Sequence, residues 1–175
     1  MELLETFDSL GNKKNVGKEK TQARIDGDFL SVIHLWIINP TNKKILIQQR
    51  SFNKESAKGK WDLSVGGHIR FGENEIQALI RETSEEIGIT LTEKDDIRKL
   101  FSARYDNNYY KYFWHVYLLV KDIRLEDIVI NEEEVMDIKY ITIEEFKDMY
   151  YGDNNELQKH DYIPDLINTM QEILS

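Results

Sequence analysis

The sequence predicts an α/β protein, a mixed β-sheet sandwiched between helices. Three observations lead there. Short apolar and aromatic runs broken by Asn, Pro, Gly and Asp recur through residues 32–65 and 97–141, as strands do. One long segment, 74–87, instead repeats its apolar residues with helical spacing. Two further helical patterns follow the last strand, and this order suits a sheet covered by helices better than an all-β barrel.

The N-terminal segment, residues 1–26, has the weakest periodicity and is expected to form a hairpin or loop. Within it, Asn12 to Lys20 reads as a hairpin turn or frayed loop. Val32 to Ile38 is a strand closed by Asn39-Pro40-Thr41-Asn42, after which Ile45-Leu46-Ile47 begins the next. Residues 51–60 are a polar loop leading to the strand Trp61 to Val65, which Gly66-Gly67 is expected to end. Ile76, Leu79, Ile80, Thr83 and Ile87 share one face of a helix that Gly88 stops. Ile97 to Tyr105 and Tyr112 to Val120 form a hairpin across Asp106-Asn107-Asn108. Glu134 to Ile141 is a last strand, and Ile143 to Tyr150 and Tyr162 to Leu174 are helices.

Composition narrows the function. The 175 residues fit one domain large enough to bury its own core. The absence of cysteine excludes disulfides, thiolate metal ligands and a cysteine nucleophile. A net charge of −9 argues against a surface built for duplex nucleic acid. No secretory pattern opens the chain and no apolar run is long enough to span a bilayer, so the expected location is cytoplasmic.

The most informative stretch runs from Gly67 to Ile89. Glu73 follows Gly67 after five residues, and Arg81-Glu82, Thr83, Ser84, Glu85-Glu86, Ile87, Gly88 and Ile89 follow after seven more. Glu82, Glu85 and Glu86 stand at i, i+3 and i+4, so a helix gathers three carboxylates on one face within a turn. Left uncompensated, such pairs repel by about 0.2–0.5 kcal/mol each. A cation between them would convert repulsion into binding, and hard oxygen ligands favour magnesium, manganese or calcium over zinc.

Residues 67–89 resemble the signature of the Nudix hydrolases in every charged position and in both glycines. The one departure is Thr83, where the family usually has an aliphatic residue. The resemblance implies a single Nudix hydrolase domain over residues 1–175, folded as an α/β/α sandwich with a mixed β-sheet and one catalytic helix. It implies a hydrolase that uses Mg2+ or Mn2+ to cleave a phosphoanhydride of a nucleoside diphosphate derivative or related organic diphosphate. Glu82, Glu85 and Glu86 would be the metal ligands, helped by the Gly67 carbonyl. Glu73, near the helix N-terminus, and Arg81, which can bridge it or hold a ligand carboxylate in orientation, would support them. The general base in such enzymes is a glutamate of the motif or one from a loop outside it; here the outside candidates are Glu132, Glu133 and Glu134. Homodimers are common in the family.

Other residues are candidates for substrate. Arg50 and Lys54, with Lys58 and Lys60, make the clearest basic interval, and Arg50 is the best placed for phosphate. Of the four histidines, His68 is singled out because it follows Gly67; His34, His115 and His160 have no paired spacing that suggests a zinc site. Tyr105, Tyr109, Tyr110, Tyr112 and Trp114 could stack a base, cap a prenyl chain or simply pack across strands.

Beyond the motif, Trp36-Ile37-Ile38-Asn39, Gln49-Arg50, Trp61 to His68 and Glu134-Val135-Met136-Asp137 resemble the branch related to isopentenyl-diphosphate isomerase. That isomerase uses a cysteine immediately before the Gly-His that corresponds to Gly67-His68, where this chain has Gly66. With no cysteine and a complete acidic motif, hydrolysis is favoured over isomerisation. It is also favoured over a non-catalytic nucleotide sensor, which would be expected to lose acidic positions.

Overall fold

The computed structural model describes all 175 residues. Its strands are β1 (Leu4–Phe7), β2 (Lys13–Lys18), β3 (Phe29–Asn39), β4 (Lys44–Arg50), β5 (Trp61–Asp62), β6 (Val65–His68), β7 (Ile97–Asp106), β8 (Lys111–Val120) and β9 (Val135–Ile141). Its helices are α1 (Lys20–Ile25), α2 (Glu75–Ile87), α3 (Ile143–Tyr151) and α4 (Ile163–Leu174). No helix is long and apolar enough to cross a membrane.

All 11 residues of β3 are buried, which is why its sequence is nearly continuous apolar rather than alternating. One edge pairs in parallel with β8 from Leu30 to Ile38, and β7 extends the sheet beyond β8. Three antiparallel strands share the other edge in succession. β1 takes Phe29 and Leu30, β6 takes Val32 to Leu35, and β4 takes Ile37 to Asn39 before diverging to pair with β5 and β9. The sheet is thus mixed and forked, with a gap opening between β6 and the far end of β4. Ser64 closes the base of the fork: its Oγ donates to the Leu46 carbonyl at 2.6 Å and accepts from the Ile37 amide at 2.8 Å.

Helices cover both faces, as expected for an α/β/α sandwich. Alternate residues of β3 point to opposite sides. Ile33, Leu35 and Ile37 pack with Ala78, Leu79 and Ile87 of α2, while Trp36 and Ile38 pack with Phe146 of α3 and Leu166 and Met170 of α4.

Two sequence expectations require correction. Asn12 to Lys20 is mostly strand β2, paired with β1, and the turn falls earlier, where Asp8 accepts from the Leu10 and Asn12 amides. Gly66 and Gly67 do not end a strand; they lie within β6, opposite His34 and Ile33. The need for glycine is instead lateral. A Cβ on Gly67 would lie 2.0 Å from Cδ of Glu82, so its absence lets α2 lay a carboxylate against the strand.

Candidate active site

The local chemistry of α2 explains how it holds its shape. Asn74 caps the start in a reciprocal arrangement with Gln77, and Gly88, at φ 69°, terminates the helix in the left-handed conformation. Thr83 is fully buried without an orphaned hydroxyl, because Oγ1 donates to the Leu79 carbonyl at 2.7 Å. That bond accounts for a polar residue where an aliphatic one is usual.

α2 directs its acidic residues at the fork. Glu86 is 4% exposed and bridges the two arms: one carboxylate oxygen accepts from Gln48 Nε2 of β4 at 3.0 Å and from the Gly66 amide of β6 at 3.2 Å. Burial, with repulsion from Glu82, pushes its pKa up to about 8. Glu82 is nearly as enclosed, and burial pushes it up to about 7 despite Arg81, whose Nη1 donates to it at 2.7 Å. Glu85 is different. Its side chain is 45% exposed and lies between Arg81 at 3.1 Å and Arg70 at 3.3 Å.

As oriented, no three acidic or histidine side chains are close enough to share an ion. The donor set nevertheless fits a hard divalent cation. Two enclosed carboxylates are driven toward protonation, and Oε1 of Gln48, on the amide that bonds Glu86, is buried without a partner. Such a cation would favour both carboxylates as anions.

Glu73 and Arg81 form the expected support. Arg81 grips Glu73 through two bonds of 2.7 and 2.9 Å and donates to the His68 carbonyl at 3.0 Å, tying α2 to β6. Glu73 also accepts from the Arg70 amide at 3.0 Å.

The three carboxylates of α2 open onto one cavity of about 900 Å³ that contains most of the sequence-predicted site; Glu73 and Arg81 stand behind its wall. Gly67, Glu82, Glu85 and Glu86 lie on one side, with Arg50, Lys54, His68 and Glu134 around them. Lys54 and Glu134 form an ion pair. Arg50 reaches Asp62 at 3.6 Å and donates from Nε to the Ser56 carbonyl at 3.2 Å. His68 is held neutral, with burial lowering its pKa to about 3, and its Nε2 has no partner. Glu133 is not among the lining residues; it accepts instead from Asn53 Nδ2 at 3.1 Å. Tyr105, Tyr110, Tyr112 and Trp114 line the cavity, so packing and site roles coincide; Tyr109 does not.

Several lining residues were not legible in the sequence. Asp62 and His160, 98 positions apart, meet at 2.8 Å, and His34 meets Tyr162 at 2.7 Å. No local spacing encodes either contact. Lys20 and Glu2 reach the rim from the N-terminal segment.

Residues 28–160 match the NUDIX domain family. The chain belongs to the NUDIX domain family. It is 34% identical over 178 residues to Nudix hydrolase 3 of Arabidopsis thaliana, a match covering 94% of this chain and 22% of that longer protein. A Nudix hydrolase of Listeria monocytogenes is 33% identical, with 82% of this chain and 83% of that one covered. The isopentenyl-diphosphate Delta-isomerase of Photobacterium profundum is 32% identical, with 70% of each chain covered. In fold, the Deinococcus radiodurans protein DR0079 superposes with a TM-score of 0.74 at 21% identity, over 97% of this chain and 99% of that one.

Proposed function

We propose that this Nudix hydrolase cleaves the diphosphate of a nucleoside diphosphate derivative or related organic diphosphate, with Mg2+ or Mn2+ held by Glu82, Glu85 and Glu86 and the Gly67 carbonyl. The observation that carries the reading is the pair of enclosed carboxylates, Glu82 and Glu86, facing a cavity whose rim also carries Lys20, Arg50 and Lys54. That arrangement of acid and base suits a polyanion neutralised from both sides. A divalent ion bound there supplies charge neutralisation at the phosphoryl oxygens and acidifies a water.

The chain's own residues do the remainder. Arg81 fixes the carboxylates of α2, and its turn toward Glu85 keeps that side chain within reach of the same face. Arg50 and Lys54 hold the phosphates. Lys54 now neutralises Glu134; a bound diphosphate would draw Lys54 away and leave Glu134 free to accept a proton, which makes it the preferred outside base. Glu133, turned to Asn53, has no part in the proposal.

Isomerisation is not preferred, although isomerases are among the relatives, because the chain has no cysteine and Gly66 uses its backbone amide to hold Glu86. The test is formation of the cleavage products, two phosphomonoesters or one monoester and inorganic phosphate according to the substrate, from a panel of organic diphosphates with magnesium or manganese, for wild type and Glu86→Gln. Loss of turnover in the variant is expected; equal rates would refute the assignment, and tight binding without turnover by wild type would indicate a sensor.

A further inference from the structure

The 51–60 loop between β4 and β5 forms one wall of the cavity, which Lys54, Glu55, Ser56 and Ala57 line. Its stem is firm. The Arg50 amide donates to the Lys60 carbonyl at 2.9 Å and the Gly59 amide donates to the Arg50 carbonyl at 3.0 Å. Beyond that stem, residues 52–58 make no backbone–backbone hydrogen bond outside the loop, and the one large apolar side chain there, Phe52, is 63% exposed. Polar and charged side chains therefore hold the tip. Arg50 Nε donates to the Ser56 carbonyl, and Asn53 and Lys54 reach Glu133 and Glu134. Glu55 reaches α1 instead: its carboxylate accepts from Lys20 Nζ at 2.8 Å and from Arg24 Nη1 and Nη2 at 2.9 and 3.2 Å. Arg24 also donates to the Tyr109 hydroxyl at 2.7 Å, so α1, the loop and the tip of the β7–β8 hairpin meet at one charged node. Arg24, with Lys20, holds the Glu55 carboxyl down at about 2, so the node stays ionised through neutral pH.

We propose that the 51–60 loop is a lid on the cavity and that Glu55, gripped by Lys20 and Arg24, is its latch. The lid rests on the reading of the cavity as a diphosphate site and adds how a ligand enters and leaves it. Arg50 belongs to β4 and stays in place, whereas Lys54 rides on the tip, so opening withdraws one of the two cations assigned to the phosphates and lets product go. Exposed ion pairs suit a latch because each is weak. A segment with so few apolar contacts opens without disturbing the core. α1 lies outside the residues matched to the family, so the N-terminal segment supplies this control.

Trypsin reads the opening directly, because it cuts after Lys54 or Lys58 only when the tip leaves the body of the protein. On the full chain, with fragments located by mass spectrometry, Glu55→Gln should raise the rate of cutting at these two sites about threefold or more with Tm little changed. Lys20→Met/Arg24→Met removes the same pairs from the other side, so it should give the same rise, and the triple variant no further one. Locking the lid is the converse. Lys20→Cys/Glu55→Cys carries the only two thiols, since the chain has no cysteine of its own, and a bismaleimide with a disulfide in its arm bridges them. The bridged protein should turn over an organic diphosphate with kcat about tenfold below the same variant capped with N-ethylmaleimide, and reduction of the arm should restore it. Equal cutting rates in wild type and Glu55→Gln, or an unchanged kcat in the bridged protein, would overturn the lid. If the double-cysteine variant does not fold, proteolysis decides alone. Faster cutting in Glu55→Gln without cleavage of any diphosphate by wild type would leave the lid standing and remove the hydrolase reading; turnover with equal cutting rates would do the reverse.

Discussion

A carboxyl group sealed between Gln48 and the Gly66 amide is comfortable as an acid and useful as an anion, and Glu86 has to be both. Its raised pKa has a definite sign in stability. The folded state holds the proton more tightly than the unfolded chain, so the energetic cost is absent below about 4.5, accumulates as pH rises, and is complete above about 8. Without divalent ions, Glu86→Gln should thus match wild type near pH 4.5 and exceed it by a few kcal/mol near pH 9, because a neutral amide oxygen still accepts from Gln48 and Gly66. Urea unfolding at the two pH values measures this; a variant no more stable at the higher pH would show that Glu86 is not held as an acid. Gly67→Ala acts on the same geometry by steric means. Its methyl group would displace Glu82, and a misplaced ligand should lower kcat/KM about a hundredfold while the circular dichroism spectrum stays native. The spacing of Gly67, Glu73, Arg81, Glu82 and Glu86 made this half of the site legible, because a helix converts sequence interval directly into angle. The half around Asp62, His34 and His160 was not, because those residues meet across sheet and terminal segments with no fixed interval between them.

The elements differ in how much of their stability is local. α2 carries its own start and stop signals, and so its boundaries could be read from Asn74 and Gly88. Asn74→Ala should remove the cap at a cost of about 1 kcal/mol in unfolding free energy with kcat little changed, since Asn74 lines no part of the cavity. Unfolding and steady-state rates measured together would expose an error if activity fell more than stability. β6 shows the opposite case. A pair of glycines reads as a break when only the chain is visible, yet both residues are extended and paired, and their small size answers to a helix lying across them. β2 was missed for a related reason: Lys13 to Val16 are all exposed, so no apolar alternation marks the strand, which is held by pairing with β1 and by ion pairs of Lys14 and Lys18 with Asp28. Ser64 belongs here too. Ser64→Ala would orphan the Ile37 amide and the Leu46 carbonyl at the base of the fork, and the expected loss is about 1–3 kcal/mol by urea denaturation.

For the whole molecule, the forked sheet produces a site that neither face of the sandwich could make alone. α2 on one face sends Glu82 and Glu86 toward the gap; the face beneath α4 supplies His34, held by Tyr162, and Trp114; and the 51–60 loop, anchored through Glu55 to Lys20 and Arg24 of α1, closes one side. Residues outside the matched family span therefore shape the cavity, although α1's ion pairs are exposed and should add under about 1 kcal/mol each. A divalent ion at the acidic pole would act on the entire fold by mass action. At a concentration a hundredfold above its dissociation constant it should stabilise the protein by about 2.7 kcal/mol, which for a chain of 175 residues is an upward Tm shift of about 5–10 °C. Protons compete for the same oxygens, so the shift should be larger at pH 8 than at pH 6. Manganese titrations followed by thermal unfolding at both pH values, with Glu82→Gln/Glu86→Gln as the comparison, measure it. A shift that ignored pH, or that persisted in the double variant, would place the ion elsewhere on this acidic protein and separate its effect from the fork.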